Sequence, residues 1–322
     1  MSIDRQPILR GELLELRPLR AEDWAELYAV AADPLIWEQH PNKDRYQEAV
    51  FREFFREALE SGGALVARDN KNGKLIGSSR FHGYDPDQSE IEIGWTFLAR
   101  SYWGGVYNGE MKRLMLEHAF RYLDHVIFMI GPKNHRSRRA VEKIGGVLVG
   151  SKLNDKGRES VVYRLTAFRF GALQADSLTI RRATTNDGPL LLDIWLRSVR
   201  ATHTFLSEAD IQSLLPHVKE YLSSEASGLL VLCSRNGVCI GFMGMKGNKM
   251  DSLFLAPEYQ GCGCGRRLVE HARALHKELT VDVNEQNPAA LGFYQKCGFI
   301  VEGRSPVDDA GRPFPLVHLR LK

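Results

Sequence analysis

A glycine alternates with another residue in the stretch Gln260-Gly261-Cys262-Gly263-Cys264-Gly265. It follows the apolar run 251–255 and precedes a helical pattern that begins at Arg266. Glycines let backbone N–H groups approach an anion without a Cβ in the way, and the first turn of a helix offers unpaired N–H groups. Strand, glycine-rich turn and helix therefore predict a phosphate-binding loop. On spacing alone, a plain strand-to-helix turn is an equally good interpretation.

The spacing in this loop fits neither of the common nucleotide fingerprints. The lysine and hydroxyl residue of a P-loop are missing, although Asp282 stands about where a dinucleotide site has its acidic residue. The pattern is instead Gln/Arg-x-x-Gly-x-Gly/Ala, followed at 284–299 by Asn-Glu-Gln-Asn-Pro-Ala-Ala-Leu-Gly-Phe-Tyr-Gln-Lys-Cys-Gly-Phe. In this order and at this distance, the two blocks resemble the GCN5-related N-acetyltransferase (GNAT) family.

Composition limits the class of protein. A length of 322 residues suggests about two domains, and 43% hydrophobic with 26% charged residues is typical of a globular protein. The net charge of +3 does not favour a nucleic-acid partner. No stretch is long and apolar enough to span a membrane, and no signal-peptide segment stands at the start. Five cysteines, an odd count, predict reduced thiols in a cytoplasmic protein.

Metal binding is not predicted. Cys262 and Cys264 are too close for ordinary zinc spacing, and no second cysteine pair accompanies them. Both cysteines are interpreted as small residues in a turn.

The two halves of the chain repeat one order of elements, β-α-α-β-β-β-α-β-α-β-β. The clearest hairpin signal is Asn236-Gly237 between two apolar runs. The apolar pattern lapses near 168–177, so the sequence predicts domains at 1–172 and 177–322.

The resemblance implies a fold and a cofactor site. Each half is expected to be an acyl-CoA N-acyltransferase domain, with a mostly antiparallel mixed sheet flanked by helices. In the second half, the backbone of Leu253, Phe254 and Leu255 would pair with the pantetheine arm of acetyl-CoA. The loop from Gln260 through Gly261, Cys262, Gly263 and Cys264 to Gly265 would hold the pyrophosphate. Asn287 would contact the cofactor, Tyr294 would lie near its sulfur, and Arg266 could reach the 3′-phosphate unless it is a solvated surface residue.

Acetyl transfer needs a proton acceptor for the amine and a proton donor for the departing thiolate. Tyr294 is the candidate donor, because a phenol keeps its proton at neutral pH; a core aromatic beside Phe293 is the alternative. Candidate bases are Asp251, through a relayed water, His203 and Glu208. Each could also be a cap or an ordinary surface residue, and a water chain without a dedicated base is an equal alternative.

The halves differ in how well they match the family. The second resembles YjaB-type acetyltransferases, and the first resembles ribosomal-protein-type (RimJ/RimL-like) members. In the first half Trp103, Val106 and Asn108 replace the expected Gln/Arg and small residues, and Val141 stands where Tyr294 stands in the second. Val106 matters most, because a β-branched residue avoids positive φ. A shifted set of glycines, at 104, 105 and 109, remains as an alternative loop.

We therefore expect a tandem acetyl-CoA-dependent N-acetyltransferase that is active mainly through its second domain. In the alternative hypotheses, the first domain is a non-catalytic binding module, both domains act on different acceptors, or the chain only senses coenzyme A. The acceptor amine belongs to a protein lysine, a protein N-terminus or a small molecule, and the sequence does not choose among these. It is equally silent on oligomeric state.

Overall fold

The computed structural model describes residues 2–104, 106–153, 157, 159–171, 178–224, 228–276, 278–309 and 311–322. Gly105 of the alternative loop and the predicted boundary at 172–177 lie outside these residues. The chain forms two compact units, Met1–Ala172 and Leu173–Lys322.

The first unit contains eight strands and four α-helices among its described residues. In chain order they are β1 (Leu9–Arg10), β2 (Leu14–Pro18), α1 (Trp24–Ala31), α2 (Glu48–Glu60), β3 (Ala64–Asp69), β4 (Leu75–Asp85), β5 (Glu90–Leu98), α3 (Val106–Ala119), β6 (His125–Ile130), α4 (His135–Lys143), β7 (Val147–Leu153) and β8 (Glu159–Thr166). The sheet order is β1-β2-β3-β4-β5-β6-β8-β7.

Within the described residues, the second unit repeats this arrangement from the counterpart of β2 onward. Its elements are β9 (Thr179–Arg182), α5 (Gly188–Thr202), α6 (Glu208–Ser224), β10 (Leu230–Cys233), β11 (Cys239–Lys246), β12 (Lys249–Leu255), α7 (Cys264–Leu275), β13 (Thr280–Asn284), α8 (Pro288–Lys296), β14 (Phe299–Ser305) and β15 (Leu316–Leu321). The sheet order is β14-β15-β13-β12-β11-β10-β9. The predicted fold class is confirmed. The second unit has the predicted order of elements, whereas in the first unit the additional strand β1 precedes that order.

Each sheet has one parallel pair, and that pair opens along its length. β12 and β13 are paired only at Lys249–Thr280 and Met250–Val281, after which the two strands separate. β5 and β6 are paired from Glu90–His125 to Glu92–Ile127 and then separate in the same way. The opening leaves one edge of β12, and one edge of β5, without a partner strand.

An ion pair at the start of each unit shows how closely the repeat is preserved. The Arg17 guanidinium donates to both carboxylate oxygens of Asp23 at 2.8 and 2.6 Å. Arg181 donates to Asp187 in the same way at 2.8 and 2.7 Å. In both units the aspartate also accepts a backbone N–H from the residue three positions earlier, so it closes the one-turn helix that precedes α1 or α5.

Both units bury an apolar core between sheet and helices. Phe51, Phe54 and Phe55 of α2 pack with Trp37 and Phe97 in the first unit. In the second unit the buried side chains include Trp195 of α5, Phe242 of β11 and Leu268 of α7. None of the helices in the described ranges has the length and apolarity that a bilayer crossing requires.

Candidate active site of the second unit

The glycine-rich loop joins a one-turn helix, Pro257–Tyr259, to α7. Gly261 has φ 76° and Gly263 has φ 84°, both in the left-handed region that glycine adopts without strain. Gly263 is the residue that precedes α7, and it has no side chain to cap the helix. The helix begins at Cys264, two residues before the predicted start at Arg266. The first N–H groups of α7 therefore open toward the loop, where an anion can accept from them.

Gly265 lies where α7, α8 and β12 approach one another closely. It is buried in the first turn of α7, and a β-carbon there would lie 3.0 Å from Cζ of Phe293 on α8 and 3.5 Å from Cδ1 of Leu255 on β12. Gly265 does not have a left-handed φ, so it is the close approach of Phe293 that favours glycine at this position. The loop, the open strand and the helix that carries Tyr294 meet at this residue.

The edge of β12 opposite β11 offers backbone groups to a ligand. Leu253, Phe254 and Leu255 pair with Met243, Phe242 and Gly241 on the β11 side. On the other side, β13 has already separated after Met250. An extended ligand arm could pair with this edge as a neighbouring strand does. The open edge, the two left-handed glycines and the helix start form a cradle that fits the pantetheine and pyrophosphate of acetyl-CoA.

Tyr294 lies on α8 and is nearly fully buried. Its ring contacts Phe293 and Phe299, with centroids 5.0 and 5.4 Å away. Burial raises the pKa of Tyr294, so the phenol keeps its proton at neutral pH and can act only as a donor. Asn287 precedes the same helix, and its side-chain oxygen accepts the Ala290 N–H at 3.0 Å. That oxygen is committed to the helix start, which fixes the position of α8.

His203 ends α5 beside the open strand. Its ring lies 6.4 Å from that of Phe254 on β12 and 5.5 Å from that of Phe205. Nδ1 lies 2.8 Å from the Thr202 hydroxyl. Burial lowers the pKa of His203, so the imidazole is neutral at pH 7 and can accept a proton. His203 thus combines a position next to β12 with a neutral imidazole at pH 7.

Asp251 occupies an irregular position in β12. β11 and β12 pair at Gly244–Ser252 and next at Met245–Met250, so Asp251 is the extra residue of a β-bulge. Tyr221 of α6 donates to the Asp251 carboxylate at 3.2 Å and lies 2.9 Å from the Ser252 hydroxyl. Among the described residues, no hydrogen bond joins Tyr294 to Asp251 or to His203. Asp251 is thus tied to α6, and any contribution to proton transfer would pass through water.

The other residues predicted for the site differ in their exposure and in their hydrogen-bond partners. Glu208 is exposed and pairs with Arg200 at 2.6 Å, which lowers the pKa of Glu208 through that hydrogen bond. The Gln260 side chain reaches the Leu255 carbonyl at 3.4 Å and so folds back on the loop. Cys264 is buried, whereas Cys262 is half-buried and Arg266 is exposed on the first turn of α7. Among the described residues, no group of His, Cys, Asp and Glu side chains is arranged to hold a metal ion.

The sequence did not predict that polar side chains on neighbouring strands of the second unit form one hydrogen-bonded network. His318 Nδ1 lies 2.7 Å from Asp282, and the Ser305 hydroxyl lies 2.7 Å from His318 Nε2. Lys249 Nζ lies 2.6 Å from the other oxygen of Asp282. Burial alone would raise the pKa of Asp282, but the hydrogen bonds from Lys249 and His318 hold it below its usual value. Asp282 is therefore part of a cross-strand network, and the strands that supply its partners are far apart in sequence.

The first unit places different residues at the equivalent points. Gly104 has φ 68°, like Gly261, but α3 begins at Val106, where the second unit has its left-handed Gly263. Val106 is helical and exposed; the positive φ that a valine avoids is not adopted. Asn134 accepts the Ser137 N–H at 3.1 Å, as Asn287 does for Ala290. Seven residues after Asn134, the buried Val141 takes the place of Tyr294.

Comparison with known proteins agrees with this geometry. The family model described as "Acetyltransferase (GNAT) domain" matches residues 14–147, and that described as "Acetyltransferase (GNAT) family" matches residues 192–299. The chain is 47% identical over 142 residues to the peptidyl-lysine N-acetyltransferase YjaB of Escherichia coli, which covers 44% of this chain and 95% of that protein.

A second relative and a solved structure are also similar. Peptidyl-lysine N-acetyltransferase YiaC of Escherichia coli is 28% identical over 121 residues, which is 37% of this chain and 82% of YiaC. The solution structure of apo YjaB from Escherichia coli has 47% sequence identity and a TM-score of 0.43, and the match covers 44% of this chain and 96% of that one. The chain belongs to the GNAT family of N-acetyltransferases, with one domain of that family in each half.

Proposed function

We propose that the chain transfers the acetyl group of acetyl-CoA to an amine and that the second unit carries the catalysis. One contrast between the units supports this. The second unit has the left-handed Gly263 before α7 and Tyr294 on α8, whereas the first has the helical Val106 and the buried Val141 at those points. Among the described residues, a loop suited to bind pyrophosphate and a candidate proton donor thus occur together in the second unit alone.

The residues that would hold the cofactor follow from the cradle. The backbone edge of Leu253–Leu255 would pair with the pantetheine arm, and the N–H groups from Gly261 to Gly265 would donate to the pyrophosphate. Arg266, exposed on the first turn of α7, would face the 3′-phosphate. Bound acetyl-CoA supplies an acetyl thioester, whose carbonyl carbon is the electrophile.

The second unit's side chains would move protons around that thioester. An amine must be neutral to attack, and a lysine amine with a pKa of about 10.4 must first lose a proton. We propose that the neutral imidazole of His203 accepts it, directly or through a water. Tyr294 would donate its phenolic proton toward the departing thiolate. Asp251 would orient a water through the carboxylate that Tyr221 fixes.

Protein lysine is the acceptor that we favour. Both named relatives are peptidyl-lysine N-acetyltransferases. The first unit matches the model described as "Acetyltransferase (GNAT) domain". Its altered loop suggests that it binds a ligand or protein without transferring an acetyl group, although activity on another acceptor is the competing possibility.

Calorimetric titration of the full chain with acetyl-CoA tests this proposal through its stoichiometry. We expect one site per chain. Gly263→Val gives the loop of the second unit the valine that the first unit has at the equivalent position, Val106. It should abolish the acetyl-CoA site, because valine in the left-handed region costs roughly 1–2 kcal/mol and crowds the anion. The reverse change, Val106→Gly, is the matched control and should leave both the stoichiometry and the affinity unaltered.

Tyr294→Phe separates binding from chemistry with little effect on the core. Its acetyl-CoA affinity should stay near that of the unmodified chain, while acetylation of lysine-containing peptides should fall by about 100-fold or more. Two sites per chain, or a site that survives Gly263→Val in a folded protein, would refute the assignment to the second unit. Unchanged turnover in Tyr294→Phe would remove Tyr294 from the mechanism.

A further inference from the structure

Two arginines of the first unit stack on one aromatic ring. The guanidinium carbon of Arg45 lies 4.5 Å from the ring centroid of Phe54, and that of Arg80 lies 5.6 Å from the same centroid. Arg80 also lies 4.7 Å from the ring of Trp95, and Arg45 lies 5.5 Å from that of Trp37. We call Arg45 and Arg80 the guanidinium pair. Aromatic faces surround both cations.

The guanidinium pair has no carboxylate partner among the described residues. Arg80 is only 4% exposed, and its Nε and Nη2 atoms are shielded from solvent without a hydrogen-bond partner in that part of the chain. Arg45 is half-buried and lies 3.2 Å from His40 Nε2 through Nη1. By contrast, Arg17 in the same unit donates to both oxygens of Asp23. Buried guanidinium N–H groups normally find such a partner.

Nearby acids do not neutralise the pair. Glu57 lies on the exposed face of α2 and acts on both arginines only through its charge. The exposed Asp44 acts on Arg45 in the same way, and neither acid forms an ion pair with the two arginines. Glu92 is buried, and burial raises the pKa of Glu92 to about 7, so it is partly protonated at neutral pH. Burial lowers the pKa of Arg45 and of Arg80 to about 10, which leaves both charged. Two like charges are thus close enough to interact, without an ion-pair partner among the described residues to offset their repulsion.

The pair lies next to the opening of the first unit's sheet. Arg80 is paired with Gly94 across β4 and β5, and the parallel pairing of β5 with β6 ends at Glu92. Trp95, whose ring covers Arg80, has φ 52°, a conformation that a bulky residue rarely adopts. Backbone strain of this kind concentrates at ligand sites. In the second unit the equivalent opening borders the proposed cofactor edge.

We propose that Arg45 and Arg80 form a binding site in the first unit for the carboxylate of a small organic anion. A planar guanidinium fork matches the two oxygens of a carboxylate, and Arg80 offers Nε and Nη2, the pair of donors that such a bond uses. The ring of Trp95, which is half-buried and covers Arg80, would contact the apolar part of the ligand. This site is separate from the second unit's chemistry and does not depend on it.

Thermal unfolding and calorimetry of the full chain with sodium benzoate test this proposal. Sodium chloride at equal ionic strength gives the baseline, and inorganic phosphate is the second probe. We expect benzoate to bind and to raise the unfolding midpoint of the unmodified protein. Arg80→Met should abolish that binding and raise the midpoint without any probe, because an unpaired buried charge is removed. Arg80→Lys keeps the charge without the fork and should weaken benzoate binding by at least tenfold.

Arg52→Met is the matched control. Arg52 also stacks on an aromatic ring, 4.4 Å from Trp24, but it is exposed and pairs with Glu48 at 2.6 Å. Its replacement should leave benzoate binding intact. The proposal fails if benzoate does not bind the unmodified protein, or if it binds Arg80→Met equally well. It also fails if phosphate binds in place of benzoate, or if Arg80→Met lowers the midpoint without probe, which would make Arg80 a packing residue.

Discussion

A β-carbon on Gly265 would lie 3.0 Å from Cζ of Phe293, closer than packed side chains normally approach. The first turn of α7 and the helix that carries Tyr294 therefore touch at a residue without a side chain. Leu255, at the end of the open strand, is within 3.5 Å of the same point. A small change at Gly265 is transmitted to both the loop and α8, because packed interiors do not absorb an added methyl group freely.

Gly265→Ala should weaken acetyl-CoA binding more than it weakens the fold. Alanine favours a helix over glycine by about 0.5–1 kcal/mol, which offsets much of the strain against the movable Phe293 ring. We expect the free energy of unfolding to change by no more than about 1 kcal/mol. Acetyl-CoA affinity, measured by calorimetry, should fall by about tenfold because α8 is pushed away from the loop.

Gly292→Ala is the control for this experiment. Gly292 lies in α8, and a β-carbon there would have no atom within 4 Å. The substitution should stabilise the fold slightly through helix propensity and leave acetyl-CoA affinity unchanged. Equal affinities in Gly265→Ala and the unmodified chain would show that the contact with Phe293 does not position the loop.

The glycines also show what the sequence alone could predict. Turn and helix signals around Gly261 and Gly263 predicted the loop, because such signals are local. The distinct role of Gly265 could not be predicted, since it depends on a ring that lies 28 residues later and meets it only in the fold. The predicted start of α7 at Arg266 was likewise wrong by two residues. The helix begins at Cys264, directly after the left-handed Gly263, which is earlier than the hydrophobic pattern suggests.

His203→Gln should change the pH dependence of turnover. Because burial lowers the pKa of His203, the imidazole remains a proton acceptor below pH 6.5 and loses activity only as it protonates. We expect kcat/KM of the unmodified enzyme to fall on an acidic limb below pH 6.5. In His203→Gln that limb should disappear and the plateau should drop by about 100-fold, as measured by steady-state kinetics with a lysine peptide.

Asp251→Asn is the comparison for the same profile. Asp251 is bonded to Tyr221 within a β-bulge, so its replacement should lower turnover without moving the acidic limb. If the limb persists in His203→Gln but vanishes in Asp251→Asn, the base is Asp251. If both variants keep it, a water chain without a dedicated base carries the proton.

Charged residues on strands were the least predictable part of both units. Alternation along 90–97 predicts a half-buried strand, yet Glu90 and Glu92 are 7% and 8% exposed. The Glu90 carboxylate forms an ion pair with the guanidinium of Arg164 on β8, 2.7 Å away. The order of the strands in the sheet brings β8 close to Glu90. The chain of Ser305, His318 and Asp282 depends on the same long-range pairing. Period and composition carry no information on which strands become neighbours.

Asp187→Asn should destabilise the second unit. The carboxylate accepts both Arg181 bonds and the Thr184 N–H at 2.7 Å, so the variant loses charge-assisted bonds in a buried place. We expect a loss of about 1–3 kcal/mol in the free energy of unfolding, measured by urea titration at pH 7. Glu285→Gln breaks the exposed pair with Arg304 and should cost less than about 1 kcal/mol.

The ion pair of Asp187 should also make the stability of the second unit depend on pH in the acidic range. The Arg181 hydrogen bond lowers the pKa of Asp187 to about 2, below the ordinary value of 3.8. A depressed pKa means that the stabilisation is fully present above pH 3.8 and is lost as the pH falls toward 2. The difference in stability between Asp187→Asn and the unmodified chain should therefore shrink over this range. A difference that stays constant from pH 5 to pH 2.5 would contradict the role of the ion pair.

Cys262 provides a chemical probe of the loop. It is half-buried within the proposed pyrophosphate cradle, whereas Cys264 is fully buried and burial raises the pKa of Cys264 to about 12. Iodoacetamide should therefore modify Cys262 in the folded chain and spare Cys264, because alkylation requires an accessible thiolate.

Acetyl-CoA should slow the modification of Cys262 by about tenfold or more at saturating concentration. Cys297, which caps the end of α8, is a second half-buried thiol with which the rate at Cys262 is compared. Peptide mapping by mass spectrometry gives both rates in one experiment. Protection of neither cysteine would place the pyrophosphate outside the loop, and equal protection of both would indicate general tightening of the unit and not contact with Cys262.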